Sequence, residues 1–403
     1  MRVFILATLD TKGVEAAFVR DQLVGCGLET LLVDTGCHDE PVVAADVTRD
    51  EVFAAADSSL AAMRERGDRG LAVATAAQGV TTLVRKWHAA GSVDGLLGLG
   101  GSAGTTIATS AMRALPLGVP KVMVSTLASG QVRPWVGDKD ILMLNSVVDI
   151  LGINRISRLI LTEAAAAMAG MVQQRSRSQP EKVADKLIVA ATMFGVTTPC
   201  VTRAREILEA AGFEVLVFHA TGNGGQAMES LIRDGLIAGV LDITTTELAD
   251  ELVGGILTAG PDRLTAAGSR AIPQVISVGA LDMVNFGPPE TVPTEFKERK
   301  FYRHNPTVTL MRTTPEENRR FGEEICNKAS GSKGPTCLML PLQGISAIDR
   351  SGQPFDDPTA RSALFNAIRA RHGSVELIEH DAHINDPDFA EAAARRLIAM
   401  LRR

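Results

Sequence analysis

Short apolar runs of Val, Ile and Leu recur along the chain, each leading through a glycine- or hydroxyl-rich turn into an Ala- and Arg-containing helical stretch. Runs of the strand class are Val3–Leu9, Thr30–Val33, Gly70–Thr75, Gly95–Leu99 and Lys121–Ser125. Between the first two, Ala16, Val19 and Leu23 stand at i, i+3, i+7 and draw a helical stripe, which Gly25 and Gly27 close. Apolar strands alternating with helices are what a parallel sheet covered on both faces requires. The expected class is α/β, with two Rossmann-like three-layer domains, mostly parallel sheets, and a ligand cleft between them.

The domain division comes from a change of pattern. Val147–Val172 reads as one long helix, followed by the polar segment Gln173–Pro180, read as a linker. This sets domains at 1–178 and 179–403, the first a nucleotide-binding domain. The chain then begins again. Lys186–Thr192 can be laid beside Arg2–Thr8, and Glu214–Phe218 beside Glu29–Val33, each pair joined by a helix and a glycine, Gly212 or Gly27. Duplication and two independent βαβ units both account for this.

Aromatic residues make up only 4% of the 403 positions, and the formal charge is −6. Without a positive field or clustered stacking rings, nucleic acid is not the expected partner. The first apolar run is too short for a signal-peptide core. The longest uncharged stretches are too rich in Gly, Ser and Thr for a membrane span. Cys26, Cys37, Cys200, Cys326 and Cys337 lack C-x-x-C spacing and read as reduced thiols in a cytoplasmic protein.

The most informative turn is Gly98-Leu99-Gly100-Gly101-Ser102-Ala103-Gly104-Thr105-Thr106, between a buried strand and a helix expected over Thr105–Ala114. Glycines admit an anion to the backbone, and a helix start offers free N–H groups. The cofactor-binding set on this loop is Gly100, Gly101, Ser102, Ala103, Gly104, Thr105 and Thr106. Gly98, Gly100 and Ala103 satisfy G-x-G-x-x-A, but the loop does not follow the first strand, and the next strand ends without a ribose-binding acid. No G-x-x-x-x-G-K-[ST] sequence occurs either, so a nucleotide on a different glycine loop is the better reading.

Other loops are assigned to the same sheet edge. Asp10, Thr11, Lys12 and Gly13 follow the first strand, where Lys12 can neutralise phosphate and Asp10 can hold a ribose hydroxyl or a metal-bound water. Simple helix capping by Asp10 and Thr11 is the alternative. Thr126, Ser129 and Gly130 follow Lys121–Ser125, and Gln78-Gly79 follows the run Gly70–Thr75. In the second half, His219, Thr244–Glu247, Asp282 and the segment Tyr302–Asn305 with His304 are placed toward a small polar substrate, with His219 or His304 as acid or base. The catalytic candidates are Lys12, His219 and Asp282. His380-Asp381-Ala382-His383, with Asp386 and Asp388 nearby, reads as a polar turn rather than a metal site.

Several long strings resemble a known family: Leu6–Gly13, Gly98–Thr106, Ser125–Gly130, Ser146–Ile150, Val217–Gly222, Asp242–Leu248, Ala259–Arg263 and Gly279–Gly287. They are similar to a family of uncharacterised bacterial and plant proteins that includes the N-terminal ATP-binding domain of the tobamovirus-resistance inhibitor of viral RNA replication. The likeness runs from Arg2 to about Asp357. It implies two α/β subdomains with ATP in the first, and no reaction; Ala103, where another glycine would be expected, departs from the pattern. The reading is an ATP-binding protein of unassigned activity, with Mg²⁺ able to join through the phosphates, a small-molecule second ligand, and homo-oligomeric assembly. The alternative is an ATP-dependent enzyme moving a phosphoryl or nucleotidyl group onto a small acid or sugar; a dehydrogenase-like protein ranks third.

Overall fold

A computed structural model of the chain describes residues 1–177 and 186–402. The chain divides into two compact units, Met1–Val183 and Ala184–Arg403.

The first unit holds five strands, β1 (Arg2–Ala7), β2 (Glu29–Asp34), β3 (Gly95–Gly100), β4 (Lys121–Ser125) and β5 (Leu142–Asn145). They form one parallel sheet in the order β2-β1-β3-β4-β5. Its helices are α1 (Leu9–Gly25), α2 (Arg49–Ala54), α3 (Leu60–Arg66), α4 (Arg69–Ala89), α5 (Ser102–Arg113), α6 (Arg133–Val136) and α7 (Arg155–Arg177). The pleat sorts β1 between two cores. Phe4 and Leu6 pack with Val80, Val84, Ile107 and Met112 of α4 and α5. Val3, Ile5 and Ala7 pack with Ala16, Val19 and Leu23 of α1 and with Leu161 and Met168 of α7.

Three sequence expectations need correction here. Gly70–Thr75 is not a strand but the start of α4. The Asp68 side chain accepts from Leu71 N at 2.9 Å, and Ala72, Ala76, Val80 and Val84 then form a buried stripe at helical spacing. Gln78 and Gly79 therefore lie mid-helix, away from the sheet edge. The long helix begins at Arg155, not Val147, because Val147 adopts φ 63 in a loop that ends at the Asn154 side chain, which accepts from Ile156 N and Ser157 N. The expected linker is helical as far as Arg177; its remainder, Ser178–Pro180, lies outside the described residues.

The second unit contains β6 (Ile188–Met193), β7 (Glu214–His219), β8 (Gly239–Thr244), β9 (Gln274–Gly279), β10 (Met283–Phe286), β11 (Phe301–Asn305), β12 (Val308–Arg312), β13 (Thr336–Pro341) and β14 (Glu376–His380). Its helices are α8 (Thr198–Ala210), α9 (Asn223–Arg233), α10 (Glu247–Val253), α11 (Ala266–Ser269), α12 (Pro315–Ser330), α13 (Pro358–Arg371) and α14 (Pro387–Leu401). A six-stranded parallel sheet has the order β14-β13-β9-β8-β6-β7, and β10-β12-β11 form a small antiparallel sheet. Leaving out β14, the large sheet repeats the strand order of the first unit. On one side Val189, Ala191, Leu241 and Ile243 meet α8 and α14. On the other, Ile276, Val278, Leu338 and Leu340 meet α12 and α13, while Ala190 and Val240 meet α9. Among the described residues no helix is long and apolar enough to cross a membrane.

Candidate functional site

Register aligns the carboxyl ends of the first unit's strands. Ala7 pairs with Asp34, and Gly100 with Ser125. Helices α1 and α5 start at once from β1 and β3, and their N-cap residues, Thr8 and Gly101, make no side-chain cap hydrogen bond. In α1, Leu9 N is taken by Asp34 Oδ1, and Thr11 N and Lys12 N by Thr8 O, whereas the amides of Ser102, Ala103 and Gly104 at the start of α5 have no hydrogen-bond partner among the described residues. Both helix starts border a cavity of about 280 Å³. It brings together Asp10, Thr11 and Lys12 from α1 with Gly101, Ser102, Ala103 and Gly104 from α5.

The remaining predicted residues do not line it. Gly13 lies under Val42, where an added Cβ would stand 2.6 Å from Val42 Cγ2. Gly100 lets the strand turn, since a Cβ there would be 3.0 Å from Gly104 Cα. Thr105 is fully buried, bonding Gly101 O and Ser125 Oγ, both at 2.7 Å. The Thr106 hydroxyl donates to Ser102 O at 2.9 Å and accepts from Trp135 Nε1 at 3.3 Å. Thr126 N reaches Gly100 O at 3.4 Å, and Ser129 and Gly130 sit on an exposed turn.

Sequence reading missed the wall supplied by Thr35, Cys37, His38, Arg69 and Asp149. The loop after β2 is positioned by a buried pair. Asp34 accepts from Leu9 N at 3.0 Å, Gly36 N at 2.9 Å and Arg49 Nε at 2.7 Å. Asp10 accepts from His38 N at 3.0 Å, and its Oδ1 is buried without a hydrogen-bond partner. Arg49 Nη2 stands 3.9 Å from Asp10 and is equally unpartnered. Lys12 Nζ donates to Ile150 O, beside Asp149. Arg69 makes no hydrogen bond or ion pair among the described residues. The signal that marks this wall is the acid that ends β2, Asp34, with a basic residue at the start of the next helix.

In the second unit the predicted residues are largely enclosed. Arg263, fully buried, donates to Asp242 through Nη1 and Nη2 at 2.6 and 2.7 Å and to Glu247 through Nε at 2.6 Å; Glu229 lies 3.4 Å away. Glu247 also accepts from Gly222 N and Gly225 N, at 2.8 and 3.1 Å. The string Asp242–Glu247 is therefore the inside of the fold, as is Arg263, although Pro261 and Asp262 before it are exposed. Asp282 is completely buried against Ser346 Oγ at 2.8 Å, and burial raises its pKa; its carboxyl offers no face to a substrate. His219, at the end of β7, is exposed, its ring 5.5 Å from that of Phe194. The His304 side chain lies outside the described residues. His383 uses both ring nitrogens, with Ser346 O at 2.9 Å and Asn385 N at 3.1 Å. Among the described residues no group of three or more His, Cys, Asp or Glu is arranged to hold a metal ion.

One buried acid gives a pH dependence. Burial pushes Asp250 from its ordinary 3.8 up to about 7. Its carboxyl accepts from Asn285 N and Nδ2 at 2.9 and 2.7 Å. The folded state keeps the proton where the unfolded chain has released it. Its stabilising contribution is present below about pH 4 and is lost as pH rises toward 7, at about 1.4 kcal/mol per pH unit per proton. Asp250→Asn should flatten that segment of a denaturation-versus-pH curve; an unaltered slope would assign it to other groups.

Fold and site define an α/β protein of two parallel-sheet units, the first with a glycine-loop cavity at its strand ends. The chain belongs to the uncharacterised protein family UPF0261: residues 1–177 match its N-terminal domain and residues 186–401 its C-terminal domain. A UPF0261 protein of Clostridium tetani is 50% identical over 99% of both chains. In Solanum lycopersicum, the ToMV susceptible protein tm-1(GCR26) is 41% identical, covering 99% of this chain and 56% of its own. The ToMV resistance protein Tm-1(GCR237) is 47% identical, covering 80% of this chain and 44% of its own. Among solved structures, a UDP-GlcNAc 2-epimerase from Neisseria meningitidis overlaps with a TM-score of 0.23 at 9% identity, covering 100% of each chain. A putative UDP-N-acetylglucosamine 2-epimerase from Listeria monocytogenes gives 0.21 at 12%, covering 99% of this chain and 95% of its own. Overlaps this loose say nothing of activity.

Proposed function

We propose that the first unit binds ATP in the cavity between α1 and α5. The observation that carries this reading is the convergence on one cavity of two helix starts, that of α5 with its first amides unpaired, together with Lys12. The unpaired amides of α5 and the positive helix ends suit a polyphosphate. Ala72, Val73 and Ile107 supply an aliphatic wall for a base, as a chain poor in aromatics would have to. A Mg²⁺ ion would arrive with the phosphates, with Asp149 as the exposed carboxylate on the wall and Asp10 Oδ1 the buried one beside it.

Ser102→Glu separates this reading from a purely structural turn. A carboxylate in the first turn of α5 favours the helix by about 0.3–1 kcal/mol, yet repels phosphate from the same amides. The variant should be at least as stable as the parent, while its nucleotide-induced rise in melting temperature disappears. Retention of the full rise would put the nucleotide elsewhere.

A second reading, an ATP-dependent enzyme acting on a small acid or sugar, is favoured by one observation: a further cavity of about 370 Å³ shares a wall with the first. ADP, AMP or pyrophosphate formed only with an added metabolite would establish it; binding without product in a broad metabolite screen would leave a nucleotide-binding module.

A further inference from the structure

The second cavity shares Cys37, His38, Arg69 and Ala72 with the first and extends over Asp39, Met63 and Arg64. Its charges are of both signs, and they divide into committed and uncommitted groups. Arg64 spends Nε and Nη2 on the carbonyls of Cys37 and His38. Asp68 caps α4 through Leu71 N. The Arg69 guanidinium and the Asp39 carboxylate make no hydrogen bond or ion pair with any described residue. Arg69 also stands in the first turn of α4, where the helix field disfavours a cation and favours an anion set against it.

A ligand with one charge would pair with one of these two exposed groups on the cavity wall and leave the other to solvent. A ligand carrying a carboxylate and an ammonium a few bonds apart satisfies both. We infer that the second cavity binds a free α-amino acid, its carboxylate on Arg69 and its ammonium on Asp39. The inference rests on the nucleotide reading in one respect: it makes the amino acid the nucleotide's neighbour and the small polar second ligand. It also moves that ligand from the second unit, where Asp282 is enclosed, to the first.

The test uses the full chain and thermal stability as readout. The probes are the common α-amino acids, each accompanied by its decarboxylated amine and its deaminated acid, with and without ATP. At least one amino acid should raise the melting temperature by a few degrees, and both of its singly charged analogues should fail. Asp39→Asn and Arg69→Gln should each weaken that response tenfold or more. Both side chains are exposed, so neither change threatens the fold. Asp39 lies outside the first cavity, so Asp39→Asn should keep the whole ATP response. The inference is overturned if no amino acid acts, if an amine or acid acts as well as its parent, or if the response survives Asp39→Asn. An ATP response without an amino-acid response defeats this inference alone. The reverse defeats the nucleotide reading and leaves the amino-acid site standing.

Discussion

Replacing Arg263 by alanine should remove the cooperative unfolding transition of the second unit, or lower its stability by at least about 4 kcal/mol. The guanidinium is the cation that Asp242, Glu229 and Glu247 share, and all four side chains are at most 5% exposed. Without it, three carboxylates remain in a low-dielectric interior where desolvation is not offset by attraction. Burial already raises the Glu247 pKa even with Arg263 in place. Arg263→Lys should not rescue, because an ammonium cannot meet Asp242 with two parallel bonds and Glu247 with a third. Adding Glu247→Gln to the alanine variant should recover part of the loss, a coupling that independent sites would not show. What remains folded should be steadiest in mild acid, since the stranded carboxylates favour the protonated form and lose stability as pH rises. Denaturant titration followed in the second unit measures all of this; a loss below about 1 kcal/mol for Arg263→Ala would mean that the carboxylates find other partners.

The second large effect reverses an ordinary rule. Gly79 lies inside α4, where alanine normally gains about 1 kcal/mol over glycine. Here an added Cβ would stand 1.9 Å from Val52 O and 2.8 Å from Val52 C, both backbone atoms of α2. Neither helix can yield without disturbing the core formed by Val52, Phe53, Ala76 and Val80. Gly79→Ala should therefore cost about 3 kcal/mol or more. It should also reach the cavity, because α2 carries Arg49, which bonds Asp34 and the Asp39 carbonyl. A stability loss accompanied by weaker ATP binding is the expected pair of results. A stabilised variant would show that α2 moves freely on α4.

Gly79 also shows where reading the chain in order went astray. Gly70–Thr75 has the composition of a short buried strand, and a six-residue apolar run does not reveal its period. Only the continuation to Val80 and Val84, with the Asp68 cap, identifies the helix. Where an apolar run ended in a glycine turn or led into a helical stripe, sequence and structure agree. β1, α1, β3 and β4 fall where the apolar runs and the glycine turn place them, and the loop through Gly101–Gly104 lines a cavity. Thr105 has the same chemistry as Ser102 and lies only three positions on, yet it points inward to Ser125 while Ser102 borders the cavity.

The sequence by itself determined the class of the fold, the likeness of its two beginnings, and the glycine turn where an anion can approach. These depend on local properties: the period of apolar residues, the conformational freedom of glycine, the free amides at a helix start. Tertiary structure alone decided which polar strings face a ligand and which hold the protein together. Asp10 borders a cavity, whereas Asp282 is sealed and Asp242 is bound to an arginine 21 residues away in the chain. Carboxylates look alike in a sequence. Their roles separate only when packing sets how far each stands from water and which cation, if any, reaches it.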